Sequence, residues 1–95
     1  MILEIAMLHI RPGQTGEFER NFTLASRIIS SIPGYVNHSL KRCIEDEHKY
    51  VLLVNWDSLE SHTKTFRNSP EYLEWKRLLH HFYDPFPVVE HFEDV

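Results

Sequence analysis

Cysteine is almost missing from this chain: Cys43 stands alone in 95 residues. One thiol closes no disulfide within a chain and builds no cysteine-rich zinc site, so neither staple is open to a small domain. No block of lysine and arginine occurs either. Fourteen acidic against ten basic residues leave a formal charge of −4, which argues against the phosphate-neutralising stripe that nucleic-acid binding requires. Long apolar runs are absent, and the opening Met1-Ile2-Leu3-Glu4-Ile5 carries a charge where a secretory signal would be apolar. The expectation is a soluble, cytoplasmic protein with no membrane partner. There is no glycine-rich phosphate loop, no G-x-S-x-G elbow and no Cys-His pair at a recognisable spacing, which leaves nucleotide binding and nucleophilic catalysis without support.

What remains is a chain with 42% apolar and 13% aromatic residues, enough bulk for a packed core. Its length suits one domain, taken as residues 1–95. Ile2 to Ile10 is rich in Ile, Leu and Met and is stopped by Arg11-Pro12-Gly13, which reads as a strand. From Thr15 to Ile32, Phe18, Phe22, Ala25, Ile29 and Ile32 recur at three- to four-residue spacing, an amphipathic helix ended by Pro33-Gly34. Tyr35 to Cys43 and Lys49 to Trp56 read as two strands flanking the polar turn Glu45-Asp46-Glu47-His48. Asp57-Ser58-Leu59-Glu60 is a capping-box pattern that starts a short helix toward Phe66. Ser69-Pro70-Glu71 starts a second helix, with Tyr72, Trp75, Leu79 and Phe82 on one face, and Val88 to Phe92 closes the chain as a strand.

The order strand, helix, strand, strand, helix pair, strand predicts an α+β, ferredoxin-like βαββαβ fold with a four-stranded antiparallel sheet and helices on one face. Such a sheet leaves its other face bare, and a monomer would make that face polar. Here Tyr50-Val51-Leu52-Leu53-Val54 is apolar at both parities, and the first strand sets Leu3, Ile5 and Met7 against Ile2, Ala6, Leu8 and Ile10. Two apolar faces call for a second layer, so a homodimer with sheets packed face to face is expected.

Seven histidines invite a metal, but their spacing does not. Helical ligands sit three or four apart, whereas His80 and His81 are adjacent and point about 100° apart, so no protein-only metal site is expected. The aromatic and histidine set Tyr50, Trp56, His62, Phe66, Tyr72 and Trp75 is suited to wall a single cavity for a planar aromatic ligand, although the same spacing also describes ordinary core.

At these residues the sequence resembles the antibiotic biosynthesis monooxygenase family of small dimeric α/β-barrel proteins. The likeness is carried by Met1-Ile2-Leu3-Glu4-Ile5, Arg11-Pro12-Gly13, Ile32-Pro33-Gly34-Tyr35, the run from Tyr50 to Ser58, His62 with Phe66-Arg67-Asn68-Ser69, and Val89-Glu90-His91-Phe92. It implies two ferredoxin-like subunits sharing a barrel of sheets, with a pocket between sheet and helices in each. Some members of the family oxidise phenols or quinols with O2 and no cofactor, and a haem-degrading branch opens the haem ring. The signature of the haem branch is an Asn on the first strand, a Trp on the short helix and a His on the next. This chain has Ala6-Met7, Thr65-Phe66 and Trp75-Lys76 there, which speaks against haem. The resemblance therefore implies a cofactor-independent monooxygenase acting on a small phenolic, quinol or polycyclic aromatic substrate with O2. His62 or His38 is the expected base, with Asn55, Trp56 and Tyr72 holding the ring and its oxygens and Tyr50, Phe66 and Trp75 contacting the substrate. The alternative is a non-catalytic dimeric small-molecule-binding or stress-response module on the same fold.

Overall fold

The computed structural model describes residues 1–95. Four strands, β1 (Ile2–His9), β2 (Tyr35–Arg42), β3 (Lys49–Trp56) and β4 (Val89–Phe92), form one antiparallel sheet in the order β2-β3-β1-β4. The helices are α1 (Thr15–Ile29), α2 (Ser61–Phe66, a π-helical segment), α3 (Pro70–Leu79) and a single 3₁₀ turn, α4 (His80–Phe82). The expected α+β ferredoxin-like architecture is the observed one.

Alternation along the strands sorts the side chains into two layers. Ala6 and Leu8 of β1 and Tyr50, Leu52, Val54 and Trp56 of β3 point into the helix layer and are buried. Phe18, Phe22, Ala25 and Ile29 of α1 and Trp75, Leu78 and Leu79 of α3 meet them. The two long helices touch through Phe22 and Trp75, whose rings lie 6.0 Å apart at 68°, and through Asn21 Nδ2, which donates to the Leu78 carbonyl at 2.9 Å.

Helix α1 ends three residues earlier than its periodicity predicts. Ser31 and Ile32 donate to the carbonyls of Ile28 and Ile29, a tightening of the last turn that still buries Ile32. The capping expected at Ser69 is present: its Oγ accepts from Tyr72 N at 3.2 Å, with Pro70 in the first turn. At α2, Ser58 rather than Asp57 takes the capping place, its Oγ accepting from Ser61 N at 3.3 Å, while Asp57 accepts from the Ser61 hydroxyl at 2.5 Å. Gly34, at φ +91°, sits directly under this junction, and a Cβ there would collide with Ser61 Oγ and Asp57 Oδ1. Its carbonyl accepts from Asp57 N at 2.8 Å, so the Pro33-Gly34 turn sets where α2 begins.

The face away from the helices carries Leu3, Ile5, Val51 and Leu53 at its centre, with Met7 47% and Phe92 49% exposed beside them. No helix is long and apolar enough to cross a membrane.

Candidate active site

A set of buried polar and aromatic side chains collects where β1, β4, α2 and α3 converge. Register places Glu4 of β1 directly opposite His91 of β4, and α2 lays His62 over that pair. His62 Nδ1 lies 2.7 Å from His91 Nε2, and its Nε2 lies 3.4 Å from Glu4 Oε1. The same Glu4 oxygen accepts the indole N–H of Trp56 at 2.9 Å. Trp56, fully buried on β3, also stacks on His62 with ring centroids 5.4 Å apart at 21°. Glu4 and His62 are both buried, whereas His91 is half-buried at the edge of the sheet.

Burial controls the charges of the set. It pushes the Glu4 carboxyl above the usual carboxylate range, against the opposing pull of the Trp56 hydrogen bond and the Arg67 charge. The same burial, joined by the charges of Arg67 and His91, pushes His62 down to about 3. His91 is lowered by burial and then by Arg67. At neutral pH His62 is therefore an uncharged imidazole able to donate from one nitrogen and accept at the other.

Beside this set lies a cavity of about 80 Å³. Glu4, Ala6, Leu8, Leu52 and Val89 form its floor on the sheet, and His62, Phe66, Arg67, Tyr72, Trp75 and His80 wall it from the helices. Tyr83, Phe86 and Pro87 complete it, and Phe86 is 60% exposed with its ring 4.9 Å from that of His80. The wall is mostly apolar and aromatic, with Glu4, His62, His80 and Arg67 as polar handles, the mixture that suits an aromatic ligand bearing hydroxyl groups. Arg67 forms no ion pair with any carboxylate. A water needs about 10–15 Å³ of such space, and a cavity that encloses benzene has about 150 Å³, so this one holds a handful of waters and a ring would also occupy its mouth beside the exposed Phe86.

Four of the residues expected at the site, His62, Phe66, Tyr72 and Trp75, line this one cavity. Trp56 stands one layer behind, supporting Glu4 and His62. The other three lie elsewhere. Asn55 points to the opposite face of the sheet, where its Nδ2 donates to Asn37 Oδ1 at 2.8 Å. Tyr50 lies at the far end of β3 and donates to Glu19 Oε2 at 2.5 Å. His38, on the outer strand β2, meets the Tyr35 hydroxyl at 2.5 Å and the edge of Phe22. Glu4, His91 and Arg67 were not among the expected residues. No three His, Cys, Asp or Glu side chains converge on a point that would hold a metal ion; the donor atoms of Glu4, His62 and His91 point at one another instead.

Three comparisons bear on this geometry. A family model described as antibiotic biosynthesis monooxygenase matches residues 1–78. The uncharacterized protein YczJ of Bacillus subtilis strain 168 is 59% identical over 95 residues, covering 100% of both chains. A crystal structure of a candidate antibiotic biosynthesis monooxygenase from Bordetella bronchiseptica superposes with a TM-score of 0.93 at 31% identity, covering 99% of this chain and 96% of that one. SnoaB, a cofactor-independent oxygenase from Streptomyces nogalater, shares the fold at a TM-score of 0.86 and 18% identity, over 99% of this chain and 92% of its own. With the family model running from the first strand almost to the end of the α3 helix, and a relative of 31% identity spanning both chains, this chain belongs to the antibiotic biosynthesis monooxygenase family.

Proposed function

We propose that the protein is a cofactor-independent monooxygenase that oxidises a small phenolic or quinol substrate with O2 in the cavity between the sheet and the helices. The observation that carries this reading is a buried carboxyl and a neutral imidazole, Glu4 and His62, set into an otherwise aromatic wall. Removing a phenolic proton yields an electron-rich anion that can itself donate an electron to O2, so the protein has to deprotonate, orient and shield the ring. In balance, a substrate RH2 and O2 give R=O and H2O, with one oxygen atom inserted and the other leaving as water. Deprotonation is assigned to Glu4 and His62 together. Phe66, Tyr72 and Trp75 hold the ring, and Arg67, free of other carboxylates, offsets the negative charge that develops. The small cavity volume favours a single ring, seated partly in the mouth beside the exposed Phe86, over a polycyclic one.

Oxygen uptake with a panel of quinols, phenols and anthrones, in the presence of a chelator, tests the reading. Turnover is expected for a compact substrate and a rate unchanged by chelation, since no three ligating side chains converge on a point and the nearest donor atoms are engaged with Trp56 and with each other. Tight binding of such ligands with no oxygen uptake would instead make the chain a binding module.

We also infer a homodimer built on the bare sheet face. Leu3, Ile5, Val51 and Leu53 with Met7 and Phe92 make an apolar patch of a kind that monomers rarely leave open. Light scattering at micromolar concentration is expected to give twice the chain mass, and Leu53→Lys, at the patch centre, to give the mass of one chain. A folded wild-type monomer would overturn it.

A further inference from the structure

We propose that Glu4, His62 and His91 form a proton relay: Glu4 takes the proton of a phenolic ligand, His62 passes it through its ring, and His91 releases it to water. The inference deepens the reading of the cavity as a phenol site and rests on it.

Three observations support it. The groups form a series from cavity to surface, with Glu4 on the cavity floor, His62 hydrogen-bonded to His91 and 3.4 Å from Glu4, and His91 bordering a surface recess with Ile2, Leu59, Phe92 and Glu93. The two inner members are buried, at 5% and 4% exposure for Glu4 and His62, and only the last, His91, is half-buried and reaches the surface. They also come from three separate elements, brought together by the Glu4 to His91 register and by the placement of α2 above it. A merely structural role leaves the carboxyl unexplained. A glutamine at position 4 would accept the Trp56 N–H as well and would avoid the cost of a buried acid in the core-facing row of β1. What an amide lacks is a site for a proton.

The geometry also orders the steps. At 3.4 Å the Glu4 to His62 separation is longer than an N–H···O hydrogen bond, while Glu4 Oε1 is already held by Trp56. The 2.7 Å contact to His91 is a full hydrogen bond. The 2.7 Å contact fits either tautomer, and the outward relay runs from the one in which His62 Nδ1–H donates to His91 Nε2 and Nε2 is free to accept from Glu4. The phenol O–H bond breaks and its proton joins the Glu4 carboxylate. The carboxyl now donates to His62 Nε2, the Nδ1 proton moves to His91 Nε2, and the Nδ1 proton of His91 goes to water. One proton enters and one leaves, and Glu4 is again a carboxylate. When reduced oxygen needs a proton to depart as water, the same series runs backward and restores the starting tautomers. Around it, the Arg67 charge acts on all three members, and Tyr83, which feels Glu4, is pushed above its ordinary range by burial. Tyr83 therefore exchanges no proton near neutrality.

4-Nitrophenol, whose anion absorbs in the visible, reads the transfer in stopped flow without any oxygenation. The wild type is expected to bind and ionise it, with a proton appearing in lightly buffered indicator solution. Glu4→Gln should bind it neutral. His91→Gln, which keeps a hydrogen-bonding side chain but cannot pass a proton, should slow proton release at least about tenfold, within the usual span of general acid–base effects. His91→Ala should be slowed likewise and be restored by added imidazole, which fits the space left at the surface. Release at the wild-type rate in His91→Gln, or no restoration of His91→Ala, overturns the relay. If 4-nitrophenol ionises but no quinol takes up oxygen, the monooxygenase reading fails and the relay stands. If it does not bind, the phenol reading fails, and ¹⁵N titration of the histidine rings decides: Glu4→Gln must shift the titration of His91, and an unmoved titration overturns the relay.

Discussion

Phe66→Ala is expected to lower the free energy of unfolding by about 3–5 kcal/mol, the range for removing a fully buried phenylalanine. The ring is 1% exposed and sits among Trp56 at 5.8 Å, Tyr72 at 5.1 Å and Trp75 at 5.6 Å, so its loss removes a partner from three aromatic neighbours at once. The choice between core and cavity wall that spacing leaves open is resolved by this position: Phe66 is both. One edge closes the cavity while the rest is core. Against a total stability of about 5–15 kcal/mol for a domain, the change consumes a large share of what holds the fold. Urea unfolding at fixed temperature measures it, with the midpoint falling and the slope unchanged. A loss below about 1 kcal/mol would mean that the ring faces open space. Because the alanine also enlarges the cavity next to His62, ligands too bulky for the wild type are expected to bind the variant more tightly.

The elements of the fold are legible in the sequence because their signals are local. Ser69-Pro70, the helical spacing of Phe18, Phe22, Ala25 and Ile29, and the stops at Arg11-Pro12-Gly13 and Pro33-Gly34 each act within a few residues. The site is less legible, because it depends on parity and register. Asn55 and Trp56 are consecutive on a strand and so cannot share a face; that alone separates Asn55 from the cavity. Tyr50 and Trp56 share a face but lie six residues apart, about 20 Å along β3. His38 sits on the outer strand β2, and only the strand order, set by pairings far apart in sequence, shows that β1 and β4 enclose the cavity instead.

Two of the groups that sequence reading passed over, Glu4 and His91, left a trace. Glu4 interrupts the row Ala6, Leu8 and Ile10 that faces the core, and a carboxylate in a core-facing row is a rare and informative residue. Read only as a charge that spoils a signal sequence, it loses that meaning. His91 shares its face with Val89 across from Ala6 and Glu4, which becomes visible once β4 is paired with β1. The π-helical turns of α2 are a third case. A capping signal predicts a helix there, but not the wider winding, in which Arg67 N donates to the His62 carbonyl at 3.3 Å; His62 and Phe66 stand on the same cavity wall.

Between pH 7 and pH 5 the protein is expected to lose about 2 kcal/mol of stability through His62 alone. In the folded chain this imidazole is held down to about 3, whereas in the unfolded chain it titrates near its ordinary value of about 6.5. Below 6.5 the unfolded state binds a proton that the native state refuses, so stability is full above that value and falls steadily until pH reaches the folded pKa. Glu4 works with the opposite sign. Its raised folded value favours the native state fully below the ordinary carboxylate range and takes that advantage away as pH rises through the raised value. His38, His80 and His91, each lowered first by burial, act in the direction of His62. Comparing wild type with His62→Gln isolates the one group: urea unfolding at pH 7 and pH 5 should show the difference shrinking by about 2 kcal/mol in the variant, while Glu4→Gln should gain stability at pH 7 relative to wild type. An equal loss in wild type and His62→Gln would mean that His62 accepts its proton as readily folded as unfolded, and the buried neutral imidazole at the centre of this site would have to be abandoned.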